Sequence, residues 1–563
     1  MKRPLLGALD AWALLGISGG LAAASPWLAG LDLPVLAGLA TAAAGGAALA
    51  VPRLRRRYDR VDEGDKEGFV VKSDPPLQVT EDRSILLGYT TDRNIPVRLP
   101  YDLLTRHAAL IGASGGGKTS LGLLLLWQQM ARGGGWTFID AKIEADNLAS
   151  VVHMARVLGR ESDLYVLDIS DPDHSHTYNP IAYGDADEVA SRLLNLIPSA
   201  ENNPGADHYR QSVNHALTAI VGGLKAAQRL YHFGDLTILM QSPGAMDAVL
   251  RMVPPGPERM ALEVFLDKYR RPDQKTGQVS LDINRLKDTL GGMAGRLALF
   301  AQGKFGRLLN TYTPEVDLYD ILTGNKMLYV RLPTMAKETA ALNFAKMLLS
   351  DLRSGVARVQ ALARSQRPDP PHLVFADEMG SYVMSGVARF FEQARSANVA
   401  IVPGFQAFGN LREVSPEFAD IILQNTWTKV MFRFGGADSA ETAAEIIGKR
   451  KVFAYSLSQS ENESESSPFI RATPQSSTGQ GGGTGESWRQ NEEYRVAPAK
   501  LAALGIGECI VTIGPRVYHL RIPYLQTPTS DTVEFRPLRH PRRTPAGWQP
   551  LDLEKKYSDY LSA

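Results

Sequence analysis

The stretch Gly112-Ala113-Ser114-Gly115-Gly116-Gly117-Lys118-Thr119 follows a short apolar segment, His107–Ile111, and precedes a helical pattern from Ser120 to Met130. It satisfies the pattern G-x-x-x-x-G-K-[ST], in which glycines let successive backbone N–H groups point at phosphate oxygens. Because a strand pattern comes before it and a helix pattern after it, the stretch predicts a phosphate-binding loop. A glycine-rich turn with a solvated lysine is the structural alternative.

Each residue of this loop has an expected role. Lys118 would neutralise the terminal phosphates of a nucleotide, and the Thr119 hydroxyl would hold Mg²⁺. The predicted cofactors are therefore ATP and Mg²⁺. The residues that we expect to contact the nucleotide are Gly112, Ala113, Ser114, Gly115, Gly116, Gly117, Lys118, Thr119 and Ser120.

A second segment supplies the acids that phosphate chemistry needs. Pro371–Ala376 is a mostly apolar run of strand length, and Asp377-Glu378 follows it directly. An aspartate at the end of a buried strand can organise Mg²⁺ and its waters, and the next glutamate can polarise the attacking water. We interpret the segment as a Walker B strand, with Asp377 as a metal ligand and Glu378 as the catalytic base. The structural alternative is a strand that ends on two solvated acids.

Two further strands end near candidate site residues. Trp136–Asp140 follows the helix of the phosphate loop at the spacing of a parallel α/β crossover. Asp140 and Lys142 therefore become second-tier candidates, because ligands bind at the carboxyl edge of parallel sheets. Val399–Val402 leads to Gln406, whose amide could sense the terminal phosphate.

An arginine supplied by a neighbouring subunit completes some phosphoryl-transfer sites. Arg395, just before the strand Val399–Val402, is the first candidate for such a finger, and Arg389 and Arg433 are weaker ones. Most surface arginines have no such role. The predicted catalytic set is Glu378, Lys118, Arg395 and Gln406.

The composition limits the class of protein. A chain of 563 residues predicts about three domains, and its hydrophobic fraction of 44% is enough for real cores. With 61 Lys+Arg against 60 Asp+Glu the net charge is +1, so no global field favours nucleic acid and any basic surface is local. The single cysteine, Cys509, excludes an internal disulfide and a cysteine-rich metal module.

Two uncharged apolar segments, Ala11–Leu31 and Leu33–Pro52, stand near the N-terminus. Each can cross a hydrocarbon core, which takes about 20 apolar residues in a helix. Basic residues flank the outer ends of both segments, so they predict a transmembrane hairpin with both termini in the cytoplasm. The alternative is a signal peptide, which would require neither the second segment nor the basic residues after it.

The middle and the end of the chain differ from the sheet-like parts. Helical patterns replace strand patterns over 185–309, with a cationic tendency that either contacts DNA phosphates or forms a solvated face. Residues 456–493 are rich in Ser, Gln, Glu and Gly and predict a flexible loop, and residues 531–563 predict an exposed basic tail with interleaved prolines. The predicted domains are a transmembrane hairpin with a short outer loop at 1–60, a nucleotide-binding domain at 61–184 and 310–530, and an inserted all-α domain at 185–309.

This order of parts resembles the type IV coupling proteins, the TraG/TraD family of conjugative ATPases, and the resemblance covers most of the chain. Where the family often has Asp-Pro-Lys, this chain has Asp-Ala-Lys, which keeps both charges but loosens the turn. The carriers of the resemblance are the membrane hairpin and the segments Gly112–Thr119, Asp140-Ala141-Lys142, Tyr178-Asn179-Pro180, Asp377-Glu378, Gln393–Ala397 and Gly404-Phe405-Gln406.

The resemblance implies an α/β fold: a RecA-like P-loop ATPase domain with an inserted all-α domain, anchored in the bacterial inner membrane and assembled as a homo-hexamer. It implies an ATPase that recruits relaxase-bound DNA, a single-stranded transfer intermediate, and in some cases protein substrates to a type IV secretion channel. The residue roles that it implies are nucleotide and Mg²⁺ binding by Lys118 and Thr119, metal binding by Asp377, water activation by Glu378 and action between subunits by Arg395.

Two other functions stay open. A DNA translocase of the FtsK or HerA kind would act on duplex DNA rather than for export, although the helical insertion and the lone hairpin argue against it. A membrane-anchored scaffold would bind nucleotide and recruit secretion substrates without turnover. Glu378 argues against the scaffold, because a pure switch does not need a water-polarising acid.

Overall fold

The computed structural model describes residues 71, 73–197, 204–272, 279–334, 338–383, 387–462, 481–530, 533–540, 542 and 544–553. The predicted transmembrane hairpin at 1–60 lies outside these residues. Within them, no helix is both long and apolar enough to cross a membrane.

Strands and helices alternate along most of the described chain. The strands are β1 (Ser84–Thr90), β2 (Pro96–Pro100), β3 (Ala108–Ile111), β4 (Trp136–Asp140), β5 (Leu164–Asp168), β6 (Arg229–Leu230), β7 (Arg270–Pro272), β8 (Val279–Leu281), β9 (Met327–Arg331), β10 (His372–Ala376), β11 (Val399–Phe405), β12 (Thr428–Met431), β13 (Lys449–Asn462), β14 (Gly481–Tyr494), β15 (Glu508–Ile513), β16 (Arg516–Arg521) and β17 (Gln549–Pro550).

The helices lie mostly between consecutive strands of the sheet. They are α1 (Tyr101–Leu104), α2 (Lys118–Ala131), α3 (Ala145–Val157), α4 (Ala186–Leu194), α5 (Pro204–Ala226), α6 (Phe233–Leu239), α7 (Pro243–Met252), α8 (Pro257–Asp267), α9 (Ile283–Ala301), α10 (Gly303–Leu309), α11 (Leu318–Thr323), α12 (Glu338–Gln360), α13 (Ala388–Ala394), α14 (Phe408–Val414), α15 (Pro416–Asn425), α16 (Ala437–Ile447) and α17 (Pro498–Ala502).

One mixed sheet organises the fold. Among the described residues it has eleven strands in the order β2-β1-β16-β15-β12-β3-β11-β10-β4-β9-β5. Neighbouring strands from β12 to β5 run parallel, and those from β12 to β2 run antiparallel. The parallel strands are apolar runs buried on both faces, so they need helices on both sides. The predicted α/β class is confirmed, and the loops after β3, β4, β10 and β11 meet at the carboxyl edge of the sheet.

Helices cover both faces of this sheet. Alternate residues of a strand point to opposite faces, and β3 shows the result. Ala108 and Leu110 pack in one hydrophobic cluster with α2 and α3, whereas Ala109 and Ile111 pack in a second cluster with the helices that follow β5. The strand that leads into the phosphate loop is therefore held from both sides.

The predicted insertion at 185–309 is helical over α4–α10 in its described part, with the short strands β6, β7 and β8 among the helices. Its first helix starts with a capping box, in which Asp185 and Glu188 each accept a backbone N–H of the other. The apolar side chains of the insertion belong to the same cluster as one face of the sheet, and residues 71–563 form one compact unit. The insertion thus shares its core with the sheet.

The segment 456–493, which we expected to be a flexible loop, forms paired strands where the structure describes it. β13 and β14 pair in an antiparallel ladder that runs from Lys449 opposite Tyr494 to Asn462 opposite Gly481. The missing apolar period in this sequence argues against burial, but it does not prevent backbone N–H and C=O groups from bonding to each other. Residues 463–480 lie outside the described part.

The described residues of 533–553, which we call the C-terminal strap, follow the surface of the body and end in its core. Phe535 joins the hydrophobic cluster of α2 and α3. At the other end β17 pairs with β6, and Leu551 and Leu553 are buried in the cluster shared by the insertion. The Leu553 N–H donates to Asp235 Oδ1 at 3.0 Å.

Part of the predicted exposed basic tail at 531–563 bonds to the rest of the fold, while the side chains of Arg536 and Arg539 are 79% and 49% exposed. Arg539 Nη1 lies 3.1 Å from Glu315 Oε2. Arg542 pairs with Asp317 at 2.8 Å and also with Asp320. These acids lie just before and within α11, more than 200 residues away, so the composition of the tail alone could not reveal its partners.

Candidate active site

The phosphate loop leaves β3 at the carboxyl edge of the sheet and enters α2 at Lys118. Gly112 N donates to Phe405 O of β11 at 3.1 Å, and Ala113 N donates to Arg433 O beyond β12 at 2.8 Å. Gly112 has a φ of +152°, and a Cβ there would lie 2.6 Å from Phe432 Cβ. Only glycine fits this close approach.

The same loop is supported from the side of β15. Gly507 N donates to Gly116 O at 3.2 Å, and Gly507 Cα would lie 3.4 Å from a Cβ on Gly117. Gly117 has a φ of +113°, which ends the loop in the left-handed region before α2 begins. The predicted positions Gly112–Ser120 thus form one strand-loop-helix unit, as the motif requires.

Lys118 lies inside this unit rather than in solvent. Its Nζ donates to Gly112 O at 2.5 Å and to Ala113 O at 3.2 Å, and its side chain is buried. Burial lowers the pKa of Lys118, because it disfavours the charged ammonium. The residue is therefore no solvated lysine on a glycine-rich turn.

Thr119 and Asp377 come together from opposite sides of the edge. The Thr119 Oγ1 donates to Asp377 Oδ2 at 3.2 Å. Asp377 follows the last residue of β10 and is fully buried, and burial raises its pKa. A hydroxyl and a carboxylate oxygen at this spacing are the hard oxygen ligands that Mg²⁺ prefers, so the pair fits the metal site predicted for it.

Space around this carboxylate depends on a neighbouring glycine. A Cβ on Gly404 of β11 would lie 3.0 Å from Asp377 Oδ1. The Tyr382 hydroxyl donates to Asp377 O at 3.1 Å and fixes the turn after β10. Tyr382 was not predicted as a site residue, because nothing in the sequence distinguishes it from other aromatic core residues.

Both carboxylate oxygens of Glu378 are held by side chains from neighbouring strands. Oε1 lies 3.0 Å from Lys142 Nζ, and Oε2 accepts from Gln406 Nε2 at 2.8 Å. The Glu378 N–H donates to Asp377 Oδ1 at 3.0 Å, with the backbone of Glu378 in the left-handed region at φ +53°. A non-glycine residue in this region is uncommon and is typical of functional sites.

Lys142 is positioned by a turn that Asp140 builds after β4. Asp140 Oδ1 accepts the N–H groups of Lys142 at 2.9 Å and Ile143 at 3.2 Å. Its Oδ2 accepts from Asn147 Nδ2 at 3.0 Å and from the Tyr329 hydroxyl at 2.6 Å. The structure thus raises both second-tier candidates to members of the site. Asn147 and Tyr329 were missed, since contacts made across the fold leave no local pattern.

Arg395 stands apart from this cluster. It is exposed and precedes β11, whereas Gln406 follows the other end of the same strand. Seven extended residues span about 23 Å, so Arg395 lies on the opposite edge of the sheet from its own phosphate loop. Of its rivals, Arg433 is exposed beside the loop, to which its carbonyl is bonded. The role of Arg395 between subunits stays a prediction.

The sequence of the chain is similar to those of known coupling proteins. A family model described as the TraM recognition site of TraD and TraG matches residues 371–499. The type 4 coupling protein DotL of Legionella pneumophila subsp. pneumophila is 23% identical over 394 residues, which are 61% of this chain and 48% of DotL. The chain thus spans about half the length of this curated relative.

Solved structures of coupling proteins share the fold. The plasmid coupling protein TrwB in complex with a non-hydrolysable GTP analogue superposes with a TM-score of 0.52 at 15% identity, covering 84% of this chain and 100% of that chain. The unbound bacterial conjugative coupling protein TrwBdeltaN70 gives 0.51 at 15% identity, with 80% and 92% covered. These similarities confirm the predicted resemblance: the chain is similar to the type IV coupling proteins in sequence and in fold.

Proposed function

We propose that the chain is an ATPase that drives transfer of relaxase-bound DNA, and in some cases protein substrates, through a type IV secretion channel. The observation that carries the proposal is the Glu378 carboxylate, held at 3.0 and 2.8 Å beside the Thr119–Asp377 pair. A carboxylate oriented next to a phosphate loop is what hydrolysis needs and what a pure binding scaffold does not.

Each residue of the site has a separate role in the proposed hydrolysis. Lys118 would turn from the carbonyls of its own loop to the phosphates, and Thr119 and Asp377 would hold Mg²⁺. The bound Mg²⁺ would offset charge that develops on the phosphate oxygens. Glu378 accepts a proton from the attacking water, and Gln406, bonded to it, reports on the terminal phosphate. The cofactors proposed are accordingly ATP and Mg²⁺.

Assembly and location extend the proposal. The two apolar segments before residue 60 would anchor the chain in the bacterial inner membrane with both termini in the cytoplasm. A homo-hexamer on that membrane would let Arg395, exposed on the far edge of the sheet, reach the phosphate loop of a neighbour. The coupling-protein similarity supports the relaxase–DNA complex and the secretion channel as partners.

ATP turnover by the full-length chain in detergent micelles tests the proposal, with and without single-stranded DNA and with Lys118→Ala as the control. Light scattering in the same samples follows assembly. We expect hydrolysis that DNA stimulates, that rises with assembly and that is lost in the variant. ATP binding without turnover under every DNA condition would instead favour a scaffold, and stimulation by duplex DNA alone would favour an FtsK- or HerA-like translocase.

A further inference from the structure

Lys142 is a cation that faces both acids of the site. Its Nζ lies 3.0 Å from Glu378 Oε1 and 4.0 Å from Asp377 Oδ2, and its side chain is only 24% exposed. One ammonium group is therefore placed within ion-pair distance of both carboxylates.

Lys118 also feels the charges of Glu378 and Asp377, but both of its hydrogen bonds go to carbonyls of the phosphate loop. A phosphate that recruits Lys118 would use that charge for itself. Lys142 would then be the lysine that stays paired with Glu378.

The backbone that carries Lys142 is fixed by contacts from several directions. The Thr334 Oγ1 donates to Ala141 O at 2.8 Å, and Arg331 Nη2 donates to Ile143 O at 3.3 Å. Asp140 accepts the N–H groups of the same turn. A turn held in this way presents the lysine at one place, which is the requirement for a charge that orients another side chain.

The approach of a γ-phosphate creates an electrostatic conflict at Glu378. A carboxylate must stand near an anion there, and two like charges a few ångströms apart repel each other. A cation paired with the carboxylate reduces this repulsion. Lys142 is such a cation, because its Nζ lies 3.0 Å from Oε1 while Gln406 holds Oε2.

We propose that Lys142 is a positioning residue, which holds the Glu378 carboxylate and offsets its charge so that a nucleoside triphosphate can bind beside it. The inference rests on the proposed ATPase function and goes beyond it by assigning discrimination between triphosphate and diphosphate to this lysine. A lysine that only supports the fold would weaken the binding of both nucleotides alike.

Binding of ADP and of the non-hydrolysable analogue AMPPNP to the full-length chain tests the assignment. In Lys142→Met we expect ADP affinity within about twofold of the parent and AMPPNP affinity lower by about tenfold, as expected for one uncompensated charge at a partly buried site. Lys142→Arg should keep the parent ratio of the two affinities. Lys142→Gln, which keeps a hydrogen-bond donor but loses the charge, should behave like Lys142→Met.

The double variant Lys142→Met/Glu378→Gln tests whether Lys142 acts through Glu378. Because the neutral amide no longer repels the γ-phosphate, its AMPPNP affinity should return to within about threefold of Glu378→Gln alone. Lys429→Met is the matched control, since Lys429 is a half-buried lysine of the same sheet whose Nζ donates to Thr426 O at the opposite edge. It should leave the ratio unchanged.

The outcomes separate the two proposals. An unchanged AMPPNP-to-ADP ratio in Lys142→Met and Lys142→Gln would overturn the assignment, and so would a deficit that persists in the double variant. Absence of turnover in the parent chain would defeat the proposed function, while the binding ratios would still decide the role of Lys142.

Discussion

The carboxyl edge of the sheet and the C-terminal strap each bring basic and acidic side chains together, but their basic side chains bond differently. At the edge, Lys118 and Lys142 face Asp377 and Glu378, and Lys118 bonds only to carbonyls of its own loop. In the strap, Arg539 and Arg542 bond to acids that lie just before and within α11. The lysines at the edge are donors that can change partners. The arginines of the strap are donors whose ion pairs hold the fold together.

The difference follows from the side chains as well as from their positions. A lysine ammonium is a point charge on a flexible stem, whereas the planar arginine fork matches a carboxylate in a fixed geometry. The strap arginines also bind carbonyls, as Arg539 does with Ser175 O at 2.6 Å. We therefore expect changes at the edge to affect nucleotide chemistry and changes in the strap to affect stability.

The largest expected effect is at the edge. Glu378→Gln removes the proton acceptor but keeps the size of the side chain, so turnover should fall by about 100- to 10,000-fold. AMPPNP binding should persist, because the phosphate loop is untouched. Steady-state hydrolysis together with calorimetric binding measures both. Turnover at the parent rate would place the base on another residue. It would also contradict the expectation that changes at the edge affect nucleotide chemistry.

The strap should show the reverse pattern. Leu553 is fully buried, so Leu553→Ala should lower the free energy of unfolding by about 2–5 kcal/mol. Nucleotide affinity should not change. Urea unfolding followed by tryptophan fluorescence measures the loss, and Leu538→Ala, whose side chain in the same strap is 47% exposed, is the control with an expected effect within about 0.5 kcal/mol. A change of nucleotide affinity in Leu553→Ala would mean that the two clusters are coupled.

The stability of the chain as a function of pH tests the contact between the strap and Asp235. Burial raises the pKa of Asp235, whose Oδ1 accepts the Leu553 N–H, to about 6 from the ordinary 3.8. The folded chain then holds this proton more tightly than the unfolded chain, so the contribution of Asp235 to stability is lost as pH rises from about 4 through 6. The loss is at most about 3 kcal/mol.

Comparison with Asp235→Asn removes that contribution. His232, whose Nε2 lies 3.6 Å from Asp235 Oδ2, is coupled to this carboxylate, so the difference between the two proteins reports on the pair. Between pH 5 and pH 8 the parent should lose more stability than Asp235→Asn in thermal melts. Equal slopes for the two proteins would exclude a raised pKa at this position.

The smallest expected effects come from two helical glycines, one in the helix that follows the phosphate loop and one in the helical insertion. A Cβ on Gly122 of α2 would lie 2.3 Å from Phe375 Cε1, in a buried ring that stacks on Phe138, so Gly122→Ala should cost about 1–3 kcal/mol. Gly291 of α9 has no atom within 4 Å of such a Cβ, and Gly291→Ala should stabilise the chain by up to about 1 kcal/mol. Chemical denaturation measures the free energy of unfolding of both variants, which should change in opposite directions. A stabilising Gly122→Ala would show that α2 can shift to accommodate the added methyl group.

The parts of the fold that sequence could predict are those with a local cause. The phosphate loop needs a strand before it and a helix after it, and Asp377 needs only a buried strand before it. These requirements lie within a few residues of each motif. Asp377 and Thr119 then meet because parallel strands end at the same edge.

The rest depends on pairs that are distant in sequence. Asp140 accepts from Tyr329 across 189 residues, and Arg542 reaches Asp317 across 225. No residue pattern near either member marks the other. The polar ladder of β13 and β14 was missed for a related reason, since backbone bonding does not depend on side-chain polarity.

The bonds of Lys118 to Gly112 O and Ala113 O make nucleotide capture an exchange rather than an addition. In the proposed ATPase a ligand would replace these two hydrogen bonds before it gains from the ammonium, so we expect a lone orthophosphate to bind weakly. A polyphosphate that also bonds to the N–H groups of the loop would recover the loss. Lys118 would thereby favour extended phosphate chains over small anions.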